Sequence, residues 1–159
     1  MEISKIQQNV YNLGTNVAFP NQNRNYCLYD EKRTEELLEA KEEALPYIDT
    51  FLKNTNNEAQ ILDGLQVLDK MLDKGVKGID KMYPTLSRFN NTSSPNIQVM
   101  LAGIYRKTLT PDAFGPLNKM LIRNSIYPAQ YYFDPNEEIG GAILEYLKTQ
   151  SAINLYNKN

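Results

Sequence analysis

The chain has 159 residues and a mass of 18.2 kDa; 42% of residues are hydrophobic, 23% are charged, and the formal charge is −2 with a pI near 5.2. It contains no His, no Trp and a single Cys, which excludes imidazole-based catalysis or metal binding, an internal disulfide and a multi-thiolate zinc site. The length predicts one domain with a moderate core, and the acidic balance argues against general nucleic-acid binding.

At the N-terminus, Ile3, Ile6, Val10 and Leu13 recur at spacings of three and four and predict a short amphipathic helix. No basic segment leads into an apolar run there. No apolar stretch approaches the roughly 20 residues that a bilayer demands. Cys27 fits a reducing compartment, and the expected location is the cytoplasm. Residues 14–31 show neither helical nor alternating period; Gly14, Pro20 and Asn at 16, 21, 23 and 25 predict an extended arm. The expected organisation is an arm over residues 1–31 and one helical domain over 32–159.

From residue 33 onward the apolar period is helical. Leu37, Ala44, Leu45, Ile48, Phe51 and Leu52 form one stripe, and Ile61, Leu62, Leu65, Leu68, Met71 and Leu72 a second. Further stripes are Ile79–Phe89, Ile97–Ile104, Phe114–Leu121 and Ile139–Leu147. Ser94, Thr110 and Asp134 each precede a Pro and predict capped helix starts. Gly75 and Gly78 predict a left-handed helix stop. No strand pattern rises above these signals, so the fold class is all-α.

The chain also repeats itself. Pro46, Pro84 and Pro116 each stand in an amphipathic segment that ends in Asn: Asn54, Asn90 and Asn124. A second segment bearing small residues follows each one: Gly64, then Ala102-Gly103, then Gly140-Gly141-Ala142. Pro46 and Pro84 are 38 residues apart, and Gly64 and Gly103 are 39 apart. This pattern over residues 35–150 resembles the HEAT repeat, whose period is roughly 40–47 residues. The resemblance implies three helical hairpins stacked in a short right-handed α-solenoid. The usual valine-arginine pair that opens the second helix is absent. A compact five- or six-helix bundle would share most of these signals.

The third unit is longer, and its extra residues fall in the turn around Tyr127, Tyr131, Tyr132 and Phe133, four aromatics between two prolines. Aromatic clusters of this kind supply interaction hot spots when exposed and close a core when folded back. Charge is segregated as well: residues 30–69 carry 11 acidic and 4 basic side chains, and residues 70–123 carry 9 basic and 3 acidic.

No phosphate-loop, nucleophile-elbow, dinucleotide or zincin motif occurs, and Asp63, Asp69, Asp73 and Asp80 are dispersed as surface ion-pairing residues would be. The expected function is therefore a protein-interaction module or scaffold without catalytic activity, metal or cofactor. Its candidate contacts are Gln66, Tyr105 and Arg106 on the second helices, with Tyr127, Tyr131, Tyr132 and Phe133 in the loop. The expected partner is another protein, with no membrane contact. Two alternatives stand beside it. One is a nucleic-acid-binding HEAT-like domain using Lys70, Lys74, Lys77 and Lys81 with Arg106-Lys107, Lys119 and Arg123, which the acidic balance and missing Trp argue against. The other is a self-assembling structural protein drawn together by its oppositely charged halves.

Overall fold

The computed structural model describes residues 2–14, 31–126 and 134–158, and every regular element among them is helical. The α-helices are α1 (Ile3–Tyr11), α2 (Glu31–Ala40), α3 (Leu45–Asn54), α4 (Glu58–Asp73), α5 (Tyr83–Leu86), α6 (Pro95–Thr108), α7 (Phe114–Ile126) and α8 (Pro135–Lys158). Tight 3-10 turns cover Lys41–Ala44, Ile79–Met82, Ser87–Phe89 and Pro111–Ala113.

Proline explains the broken helices. The stripe from Leu37 to Leu52 reads as continuous in sequence, yet it is split between α2 and α3 at Lys41, whose φ is +53°. Pro46 then stands in the first turn of α3, and Pro84 in the first turn of α5. At those positions the missing N–H removes no intrahelical hydrogen bond. The two prolines therefore follow a 3-10 turn and open an α-helix, where the sequence places them inside one. The Ile79–Phe89 stripe is divided in the same way, with a single α-turn between two 3-10 turns.

The caps follow the local chemistry. The Ile97 N–H donates to Ser94 Oγ at 3.4 Å, and the Asn136 N–H donates to Asp134 Oδ1 at 2.9 Å. Thr110 makes no such cap; its hydroxyl donates to Thr108 Oγ1 instead. Gly75, at φ +81°, ends α4: its own N–H donates to the Leu72 carbonyl, and the Val76 N–H donates to the Met71 carbonyl. That pair of bonds closes a Schellman motif.

One apolar core runs through the described elements. It takes Leu65, Leu68 and Met71 from α4, Leu101 and Ile104 from α6, and Ile139 and Ala142 from α8. Helix α4 packs on α6 and α6 on α8, while α3 packs on α4 and α5, and α7 on α8. Helix α1 joins the same core through Ile6, Val10 and Leu13 and packs on α2 and α3. Its Asn9 donates to Glu36 at 2.7 Å, and the Gly14 N–H donates to the buried Asp63 at 2.7 Å.

Several polar contacts join residues almost equally far apart in sequence. Lys77 meets Glu42 across 35 residues; Thr85 meets Asp49, Arg88 the Leu52 carbonyl, Ser94 Glu58 and Tyr146 the Thr110 carbonyl across 36; Lys107 meets Asp69 across 38.

Candidate functional site

The 3.6-residue period turns one face of α4, α6 and α8 inward and leaves polar residues on the other. On that outer side lies a groove of about 460 Å³, lined by Asp69, Val99, Met100, Gly103, Arg106, Lys107, Glu138 and Glu145. Val99, Met100 and Gly103 contribute its apolar part. The charged residues come from all three helices.

Two cations on α6 stand between two pairs of carboxylates. Lys107 Nζ lies 2.7 Å from Asp69 and 2.8 Å from Asp73, both on α4. Burial lowers the proton affinity of this ammonium, but the hydrogen bonds to Asp69 and Asp73 outweigh it, so its pKa lies above the ordinary lysine value. Arg106 is held more loosely, 3.7 Å from Glu138 and 3.5 Å from Glu145 on α8, with all three side chains substantially exposed. Gly141 makes room for it: a Cβ there would stand 3.2 Å from Arg106 Nη1. Four carboxylates around two cations give this cluster an excess of negative charge, and a phosphate entering it would face Asp69, Asp73, Glu138 and Glu145.

The residues expected from sequence have separate fates. Arg106 lines the groove. Gln66 is half-buried on α4 and does not line it. Tyr105 is buried in the core, so its place as a surface contact is corrected. Position 105 is one residue from Arg106, about 100° around the helix, and that rotation carries it into the interior. Its hydroxyl donates to Asn90 Oδ1 at 2.6 Å, Asn90 Nδ2 donates to Tyr83 Oη at 3.3 Å, and Tyr83 donates to the Asp112 carbonyl. Burial pushes the Tyr105 phenol far above its ordinary value, with the neighbouring Tyr83 and Tyr146 adding to the effect. Tyr127, Tyr131, Tyr132 and Phe133 lie outside the described residues.

The sequence offers Lys107 only as half of a basic pair, and Asp69 and Asp73 only as dispersed surface carboxylates. Their joint contact with Lys107 crosses to another helix. The interval from Asp69 to Lys107 is 38 residues, equal to the interval between Pro46 and Pro84, and that was the available signal. Nothing in the local sequence marks Val99 or Met100 as groove residues.

Among the described residues no group of three or more His, Cys, Asp or Glu side chains is arranged to hold a metal ion. No helix among them is long and apolar enough to cross a membrane. Comparison of the chain with protein-family models, with curated proteins and with solved structures found no match.

Proposed function

We propose that this chain is a non-catalytic protein-interaction module, a short right-handed α-solenoid of HEAT-like hairpins (α3–α4, α5–α6 and α7–α8) that holds a protein partner in the α4–α6–α8 groove. The groove is the observation that carries the reading. It combines an apolar strip with half-exposed ion pairs, the composition of a surface that binds a protein segment by burying side chains and exchanging salt-bridge partners. The stacked arrangement draws support from the polar contacts 35–38 residues apart, an interval close to the spacing of the Pro and Gly landmarks. The packing order α4 to α6 to α8 fits a row of second helices.

The carboxylates around Arg106 and Lys107 favour a protein partner over nucleic acid, because both cations are already engaged. To test the reading, a photo-crosslinking side chain is placed at Met100 in wild type and in an Arg106→Glu variant that melts at the wild-type temperature. A protein crosslinked by wild type and lost in the variant is the expected result. The same set of crosslinks from both proteins overturns the groove as the contact.

A further inference from the structure

We infer that α8 carries a joint at Gly140-Gly141 and that Arg106, reaching over from α6, is the strap that holds the helix together across it.

Helix α8 runs through 24 residues and has two adjacent glycines in its first half. Glycine weakens a helix interior, because its backbone gives up the most freedom on ordering. Packing asks for a glycine at only one of the two positions. A Cβ on Gly141 would stand 3.2 Å from Arg106 Nη1, whereas a Cβ on Gly140 would have nothing within 4 Å. Gly140 does not adopt a positive φ either, so its effect falls on the stability of the helix itself.

The Arg106 guanidinium spans that weak point. Its two nitrogens reach Glu138 at 3.7 Å and Glu145 at 3.5 Å, carboxylates two turns apart with the glycine pair between them. Opening α8 at the glycines changes the separation and direction of these carboxylates, so one guanidinium cannot keep both. Lys148 is also 3.5 Å from Glu145, but it stands on the same side of the joint as that carboxylate and spans nothing. Beyond the joint few side chains anchor α8. Ala142 and Ile143 are buried, and Tyr146 donates to the Thr110 carbonyl at 2.6 Å with its ring 5.5 Å from that of Phe114. After Tyr146 none of the described side chains is buried. An occupant of the groove that takes over Arg106 releases the strap; that consequence rests on the function proposed above, while the strap itself does not.

The test is amide hydrogen exchange, read by nuclear magnetic resonance on the full chain with no partner present. Arg106→Met is expected to speed exchange at residues 142–147 roughly threefold, the weight of two half-exposed ion pairs, while α4 and α6 keep their rates. Arg106→Lys keeps the charge but lacks the fork that spans two turns, and the same rise is expected from it. Lys148→Met is expected to leave these rates unchanged. Gly140→Ala, whose Cβ has room, should slow them roughly threefold and shrink the effect of Arg106→Met. Unchanged rates in Arg106→Met overturn the proposal, and so does a rise spread evenly over α4 and α6. An equal rise in Lys148→Met overturns it too, as does a rise of the same size with and without Gly140→Ala, because Arg106 would then be an ordinary surface partner of two carboxylates. These rates stand apart from the groove, whose crosslinking is lost or kept by a separate reading.

Discussion

The Lys107 ammonium on α6 stands 2.7 Å from the Asp69 carboxylate on α4, a charge-assisted hydrogen bond across 38 residues of chain. With Asp73 at 2.8 Å on the same ammonium, it ties two helices together beside the groove rather than pairing charges along a single helix. The first prediction follows from it. Lys107→Met leaves two carboxylates facing each other without their cation and is expected to cost about 1 kcal/mol, a charged hydrogen bond reduced by solvent screening. Urea unfolding at neutral pH checks this. A loss no greater than that of Lys148→Met would remove Lys107 from any structural role.

The alkaline limb of stability has a definite sign. Lys107, Tyr105 and Tyr146 all have folded-state pKa values raised above their ordinary values, Tyr146 to about 12 by burial and then by Tyr83. Groups raised in this way stabilise the fold fully below their unfolded values and lose that contribution as pH climbs through the folded ones. Stability is thus expected to fall above pH ~10, and ultraviolet titration should show buried phenols ionising only as the chain unfolds. Ionisation of all 11 phenols around pH 10 while the far-ultraviolet dichroism stays native would contradict the burial.

Glu42 sets the opposite limb. The Lys77 backbone N–H donates to its carboxylate at 3.0 Å and holds its pKa below the ordinary 4.5. A lowered carboxylate stabilises above its unfolded value, and that contribution disappears as pH falls through the folded one. Glu42→Gln is expected to lower the melting temperature slightly at neutral pH and to converge with wild type in acid, so that the acid dependence below pH ~4.5 is flatter.

Two glycines with nearly the same φ separate backbone strain from crowding. Gly75 (φ +81°) has nothing within 4 Å of an added Cβ, whereas at Gly14 (φ +80°) the Cβ would lie 2.8 Å from the Gln60 backbone. Gly75→Ala should cost about 1 kcal/mol through conformation alone. Gly14→Ala should cost more and loosen α1, read as faster amide exchange at Ile6 and Val10. Equal costs would mean that the Gly14 turn does not hold α1 against α4.

Ile6→Ala asks whether α1 belongs to the cooperative core. Full burial of this side chain predicts a loss of about 3 kcal/mol, in the range for truncating a buried isoleucine. A negligible change would make α1 an appendage to the helical domain.

Helix content and many of the buried positions were legible because apolar residues at three- and four-residue spacing state which face turns inward. The proline landmarks were legible too, although their effect was not: whether a Pro kinks a helix or opens one depends on the preceding turn, and the positive φ at Lys41 has no local signature. Arg106 was readable as a surface cation, yet its neighbour Tyr105 was assigned to the wrong side, since one step around a helix reverses the environment. The carboxylates that meet Arg106 and Lys107 come from other helices. Only the repeat interval pointed to the one between Asp69 and Lys107, and an interval alone names no partner. The Tyr105–Asn90–Tyr83 chain illustrates the same limit. Asn90 reads as the end of its amphipathic segment, while its amide joins the buried Tyr105 to the half-buried Tyr83, the two rings lying 5.7 Å apart.

The evenly spaced contacts also bear on how the chain folds. Each tie at 35–38 residues closes a loop of similar, modest size, and the entropic cost of closure rises only with the logarithm of loop length. Ordering of each of these ties therefore meets nearly the same cost of loop closure. The refolding rate of this chain is accordingly expected to depend little on which of these ties forms first.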